Sequence, residues 1–237
     1  MPTKLNALIL GATGLCGSAL LKYTEQSGLI NKVFTITRRP IESDKTAQQI
    51  VEKDNSKWIS HFPTDKIDIL MTGLATTKKA AGGAQQQYYI DHDLNIDFAK
   101  KAKENGCSTF VVVSSAGASA DSRFFYLKMK GEIERDLKAI DFDHLIILRP
   151  GPLLGERQEN LKGFGNSTFT TLGNWVYRSR LQALVGHPVF GDEVGQVGVH
   201  LALKALKDKS SEKVQIVESN EILCIAAELN QHIASTN

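Results

Sequence analysis

Cysteine is scarce in this chain of 237 residues: Cys16, Cys107 and Cys224 are odd in number and far apart. That excludes a disulfide framework and suits reduced thiols in a reducing compartment. The six histidines, His61, His92, His144, His187, His200 and His232, show no metal-ligand spacing, which argues against a bound metal. No run approaches the roughly 20 apolar residues of a membrane-spanning helix. A first strand is expected from Leu5, which leaves no room for a cleavable signal or transit segment. Charge is nearly balanced, 28 basic residues against 26 acidic for a net +2, and no basic run occurs, which argues against a nucleic-acid partner. Repeats and low-complexity linkers are lacking as well. What remains is an ordinary globular composition, 42% hydrophobic and 23% charged, long enough for one large core. The expectation is a soluble intracellular protein, with peripheral attachment to a membrane left open.

The most informative stretch is Gly11-Ala12-Thr13-Gly14-Leu15-Cys16-Gly17. It follows the apolar run Leu5 to Leu10, which reads as a strand buried on both faces of a parallel sheet. It precedes Leu15, Ala19 and Leu20 at helical spacing. Glycine lacks a Cβ, so it permits a tight turn, close helix packing and close approach to a diphosphate. The uncapped N–H groups and the dipole of the helix N-terminus favour an anion. Without the flanking strand and helix the same glycines would read as a structural turn; with them, nucleotide binding is the expectation.

Strands and helices then alternate. Strands are expected at Val33–Thr37, Gln48–Asp54, Ile67–Thr72, Thr109–Val113 and Leu145–Leu148, with long helices at 87–104 and 124–140, the latter capped at Asp121-Ser122. This predicts an α/β fold, a Rossmann-like doubly wound parallel sheet of strand order 3-2-1-4-5-6. Residues 1–155 form the nucleotide-binding core. Residues 156–237 form a substrate-covering segment and the C-terminal completion of the same domain, with a helix at 196–206, a strand at Val214–Val217 and a last helix from Ile222. Trp175 to Leu184 is amphipathic, with aromatic and basic residues suited either to a membrane surface or to packing on the sheet.

Candidate ligand contacts lie at the carboxyl ends of the strands. Arg38 and Arg39 end the second strand, where an NAD site usually carries an acidic residue; the arginine pair suits a ribose 2′-phosphate, and the alternative is a solvated pair. Asp54 either meets the adenine edge or caps the turn before Trp58. Leu74, Ala75 and Thr76 form a small-residue loop able to lie flat against a cofactor. Ser114 and Ser115 end the fifth strand, and strand alternation lets only one face the substrate, Ser115 being preferred. Tyr126 and Lys130, four apart, share a helix face. Such a pair arises easily by chance in a chain with five tyrosines, so its position after the serines is what gives it weight.

The glycine turn, Val113-Ser114-Ser115-Ala116-Gly117, the Tyr126 to Lys130 pair and Arg149-Pro150-Gly151 occur in the order found in the short-chain dehydrogenase/reductases, which the chain resembles. Asp54 to Trp58, Ala75-Thr76-Thr77, Asp121 to Phe124 and Arg149 to Arg157 narrow the resemblance to the atypical branch of Tat-interactive-protein oxidoreductases. Within it, the chain is most similar to the fungal Fmp-type proteins. The resemblance implies NADP(H) binding and, for the fungal proteins, peripheral association with the mitochondrial outer membrane on its cytosolic side. By it, the cofactor is held by Gly11, Thr13, Gly14, Leu15, Cys16, Gly17, Arg38, Arg39, Asp54, Leu74, Ala75, Thr76, Lys130, Pro150 and Gly151. Hydride would pass to a small aldehyde or ketone while Tyr126 donates the proton, Lys130 favours the phenolate and Ser115 holds the carbonyl oxygen. The asparagine that completes a proton relay in many such enzymes has no assigned counterpart, Asp91 and Asn95 lying near its place. The alternative is an NADP(H)-binding regulatory or scaffold protein without turnover. A homo-oligomer built on helices flanking the sheet is left open.

Overall fold

A computed structural model describes residues 5–41, 47–155, 177–178, 182–208 and 212–236. Seven parallel strands form its main sheet: β1 (Leu5–Leu10), β2 (Ile30–Thr37), β3 (Gln48–Val51), β4 (Ile69–Thr72), β5 (Thr109–Val113), β6 (His144–Arg149) and β9 (Val214–Glu218). Their order is β3-β2-β1-β4-β5-β6-β9, so the expected six-strand order holds and a seventh strand extends it beside β6. This is a Rossmann-like α/β fold. The order reverses between β1 and β4, which opens a crevice at their carboxyl ends. A short pair, β7 (Leu153–Leu154) and β8 (Val189–Phe190), stands apart from this sheet.

The strands read as nearly unbroken apolar runs because both faces are covered. Alternate residues go to opposite faces. Ala7, Ile9, Met71, Val111, Ile146 and Leu148 join one core cluster with α1 (Leu15–Gln26) and α6 (Gly191–Lys207). Leu8, Leu10, Leu70, Phe110, Leu145 and Ile147 join the other with α4 (Leu94–Glu104) and α5 (Phe125–Ile140). Phe110 packs on Phe142 there with ring centres 5.0 Å apart.

Several boundaries differ from the sequence expectation for local reasons. The helix expected from residue 196 begins at Gly191, because the Glu193 carboxylate accepts the Phe190 N–H at 3.0 Å and secures the first turn. Helix α5 starts at Phe125 rather than after Asp121-Ser122; the Ser122 hydroxyl accepts the Phe124 N–H in the turn before it. The long helix expected at 87–104 runs from α2 (Lys78–Ala81) and α3 (Ala84–Tyr88) through a π-helical turn at Tyr89–Asp93 into α4. The last helix, α7, spans Ser219–Thr236. Half of the amphipathic stretch from Trp175 to Leu184 lies outside the described residues.

Helix α6 presses on α1 through glycine. A Cβ at Gly195 would stand 2.4 Å from Ala19 Cβ and 2.6 Å from the Ala19 carbonyl carbon. Gly195→Ala is therefore expected to lower unfolding free energy by about 1–3 kcal/mol through overpacking, although alanine favours an open helix by roughly 1 kcal/mol. Thermal denaturation should show a melting point several degrees lower; an unchanged or raised value would mean the two helices can part without loss.

Candidate active site

The floor of the site is the glycine turn between β1 and α1. Gly11 has φ +76°, and a Cβ on it would lie 2.6 Å from the Gly73 carbonyl carbon and the Leu74 nitrogen. A Cβ on Gly17 would lie 2.0 Å from the Gly11 carbonyl oxygen. Backbone meets backbone at both places, so no other residue fits. Gly14 N donates to Gly11 O at 2.9 Å, and the first helical bond runs from Ser18 N to Gly14 O, also 2.9 Å. The N–H groups that open α1 thus lack helical acceptors. The N-cap residue, Gly14, has no side chain to cap them, and the first turn holds no acidic residue. An anion is the group this end of the helix fits.

A cleft of about 1140 Å3 opens over this turn. Its wall includes Gly11, Thr13, Gly14, Leu15, Cys16, Arg38, Arg39, Leu74, Ala75, Thr76, Tyr126 and Lys130, all expected from the sequence, and Ser114. Arg38 and Arg39 are exposed at its rim.

One face of the helix running from α3 to α4 holds the 72–76 loop against this cleft. Gln87 Nε2 donates to Thr76 O at 3.1 Å, and Thr76 N donates to Asp91 Oδ1 at 2.7 Å. Asn95 Nδ2 donates to Asp91 O at 2.7 Å and to Leu74 O at 3.3 Å, while its Oδ1 accepts the Thr72 hydroxyl at 2.6 Å. Asp91 and Asn95 thus have the task of fixing the loop backbone. The π-helical turn that carries Asp91 is a device often met at functional sites. Asp91 is fully buried, and among the described residues its Oδ2 has no hydrogen-bond partner. Burial pushes its carboxyl up to about 6, against the opposing pull of the Lys130 charge, the Thr76 N–H and Gln87.

Tyr126 and Lys130 meet at the cleft from the first turns of α5. Tyr126 is 43% exposed, so its phenol is open to a bound molecule, whereas Lys130 is 3% exposed. Lys130 Nζ donates to Val113 O at 3.1 Å and lies 6.0 Å from the centre of the Tyr126 ring. Their four-residue spacing aligns them on one helix face, and the end of β5 anchors the lysine.

Some sequence candidates stand elsewhere. Ser115 is absent from the cleft wall, which Val113 and Ser114 line, and its hydroxyl donates to Ala116 O at 3.3 Å. Asp54 is exposed and is not a wall residue. Its Oδ1 accepts the N–H and hydroxyl of Ser56 at 3.0 and 2.6 Å, so it caps the 3-10 helix Asn55–His61, the second of its two readings. Pro150 and Gly151 are turned to other backbone: Pro150 O accepts Ala116 N at 2.9 Å, and a Cβ on Gly151 would lie 2.0 Å from Gly186 O. Gly17 serves beneath the turn rather than on the wall. Trp58, Gln87 and Leu153 also border the cleft and were not among the sequence candidates. The polar residues Gln87, Asp91 and Asn95 at four-residue intervals are the one signal that could have pointed to the clamp.

Folding raises the Asp91 carboxyl from its ordinary 3.8 to about 6. Between those values the native chain holds a proton that the unfolded chain has released, so this group's contribution to stability falls as pH rises through the window. Asp91→Asn keeps an acceptor for Thr76 N and cannot titrate. Urea titrations across that window should show the parent losing up to about 3 kcal/mol relative to the variant. Parallel pH profiles for the two proteins would remove Asp91 as the cause.

Comparison with known proteins gives a consistent picture. A family model described as HIM1 matches residues 23–180. The chain is 54% identical over 232 residues to protein FMP52, mitochondrial, of Saccharomyces cerevisiae, covering 96% of this chain and 99% of that one. It is 52% identical over 222 residues to the Candida glabrata protein of the same name, covering 93% and 95%. Among solved structures it is similar to a UDP-glucose 4-epimerase, with TM-score 0.64 and 15% identity over 96% of this chain and 82% of that one. A short chain dehydrogenase family protein from Francisella tularensis aligns with TM-score 0.64 and 14% identity over 92% and 99%. The Bordetella bronchiseptica enzyme WbmG, in complex with NAD, aligns with TM-score 0.62 and 17% identity over 98% and 79%. At such identities the structural likeness is one of fold. The family model and the fungal relatives together span nearly the whole sequence, and the chain belongs to the HIM1 family.

Proposed function

We propose that this protein is an NADPH-dependent reductase of small aldehydes or ketones, of the atypical short-chain dehydrogenase/reductase type. The observation that carries this reading is the meeting of Tyr126 and Lys130, with Ser114 lining the same cleft, over the N-terminus of α1. The residues present fit a dinucleotide. The first-turn N–H groups of α1 suit its diphosphate, the clamped loop Leu74-Ala75-Thr76 offers a flat wall, and Arg38 and Arg39 stand at the rim where a ribose 2′-phosphate would be paired. WbmG, which shares the fold, was solved with NAD; the arginine pair is the reason to favour NADP(H) here. When bound, such a cofactor supplies hydride chemistry.

The chain's own part is binding, orientation and proton transfer. Tyr126, exposed to the cleft, gives its phenolic proton to the oxygen of the carbonyl substrate. Lys130 supplies positive charge beside the phenolate that this leaves, and its hold on Val113 O keeps it in place. The substrate class proposed is a small neutral carbonyl. Among the described residues no helix is long and apolar enough to cross a membrane, and the fungal relatives are named mitochondrial. Peripheral attachment to the cytosolic side of the mitochondrial outer membrane is the placement proposed.

NADPH oxidation against a panel of aldehydes and ketones tests the reading. Tyr126→Phe should lower kcat by about 100-fold or more, the scale of a lost general acid, with NADPH affinity within twofold of the parent. Tight NADPH binding with no turnover on any carbonyl would point instead to a cofactor-binding regulatory protein. Replacing Arg38 and Arg39 together with alanine should weaken NADPH about tenfold or more while leaving NADH unchanged; an equal effect on both would dissociate the arginines from the 2′-phosphate.

A further inference from the structure

Three lysines line the cleft, and two of them are engaged: Lys22 Nζ donates to Asp192 Oδ1 at 2.7 Å, and Lys130 Nζ donates to Val113 O at 3.1 Å. The third, Lys78, is exposed and among the described residues joins no ion pair. Its main chain is nonetheless fixed. Residue 76 before it is gripped by Gln87 and Asp91. The Thr77 hydroxyl accepts Ala80 N at 3.2 Å, and Lys78 O accepts Gly83 N at 3.0 Å. Lys79, the next residue, is exposed as well but is not a wall residue. Arg38 directly follows β2, whereas Lys78 lies beyond the loop that leaves β4, and β1 with its glycine turn runs between those two strands. The guanidinium and the ammonium thus border one cleft from opposite sides of β1.

The diphosphate of a dinucleotide is met by the N–H groups that open α1. A ribose 2′-phosphate has no helix end to hold it here, yet a phosphate monoester carries nearly two charges near neutral pH and three terminal oxygens. An arginine fork takes two of those oxygens from one side. The third, with charge to spare, suits a compact ammonium that comes from the other side. We propose that Lys78 is a specificity-determining residue of this site: its ammonium pairs with the 2′-phosphate opposite Arg38, so that the phosphate bridges the ends of β2 and β4 across the glycine turn. This inference rests on the NADP(H) reading above.

Equilibrium titration with NADPH and with NADH, in the absence of any carbonyl, compares the parent with Lys78→Ala, Lys78→Arg and Lys79→Ala. Lys78→Ala should weaken NADPH about fivefold or more, the scale of a charge-assisted bond at an exposed position, and leave NADH within about twofold. Lys78→Arg keeps the charge and should keep most of the NADPH affinity. Lys79→Ala removes the same charge one residue away and should alter neither affinity. The loss in Lys78→Ala should shrink as salt is raised, because exposed charges are screened. Equal weakening of NADPH and NADH would put Lys78 on a part that the two share and overturn the inference. Equal effects of Lys78→Ala and Lys79→Ala would also overturn it, reducing the lysine to a share of the general positive field. Unchanged NADPH affinity with a raised KM for the carbonyl would overturn it in favour of a substrate contact. A parent that binds NADPH no more tightly than NADH overturns the NADP(H) reading and this inference with it. A parent that prefers NADPH, with the preference intact in Lys78→Ala, overturns this inference alone.

Discussion

Backbone contact at the end of β1 governs how the rest of the molecule can be arranged. Gly11, Gly17 and Gly73 bring the first turn, the first helix and the loop after β4 so close that a single methyl group at any of them would meet main-chain atoms at 2.0 to 2.9 Å. Because the turn is that tight, α1 begins with its N–H groups directed into the crevice where the strand order reverses. The same closeness sets where the loop 73–76 runs, and therefore where the cleft has its wall. Helix α6 repeats the device at Gly191 and Gly195, which receive Leu15 and Ala19 of α1. Helix α1 is thus held on both sides by glycine contacts that tolerate little change.

Around this rigid floor, two polar networks among the described residues each fix a different wall. Gln87, Asp91 and Asn95 grip the backbone of residues 74–76. Glu134 and Arg149 tie α5 to β5, β6 and β9 through Ser114. Lys130 lies between them, bonded to Val113 O and near enough to Asp91 for their charges to interact. Buried polar groups are costly unless paired. Here nearly every member is paired, and the exception, Asp91 Oδ2, sits beside the buried lysine's influence. A site whose walls are fixed by such bonds need not reorganise when a flat molecule enters, which is the condition for electrostatic assistance to a reacting group.

Much of the fold was legible in the sequence because its signals are local. Unbroken runs such as Leu5 to Leu10 and Thr109 to Val113 mark strands covered on both faces, and the regular alternation with helices predicts the parallel order that the sheet adopts. The glycine turn, the arginine pair and the four-residue spacing of Tyr126 and Lys130 were legible for the same reason, since each is a short pattern whose geometry follows from one turn or one helix face. Helix starts were less legible. Glu193 reaches back to Phe190 and begins α6 five residues earlier than the apolar pattern suggests, and a side chain's reach is not visible in periodicity.

The sequence by itself determined the strand and helix rhythm, the glycine turn and the pairing of a tyrosine with a lysine, all consequences of steric and periodic rules acting within a few residues. Only the tertiary structure decided which serine meets the cleft, that Asp54 caps a turn, that Pro150 and Gly151 face other backbone, and that Asp91 and Glu134 hold the two walls. Those outcomes depend on partners far away in the chain: Ser114 on Glu134, Arg149 on Glu218, Gly151 on Gly186. Burial and hydrogen bonding across such distances arise only when the sheet closes, because a polar side chain takes whichever partner the packed neighbours leave within reach.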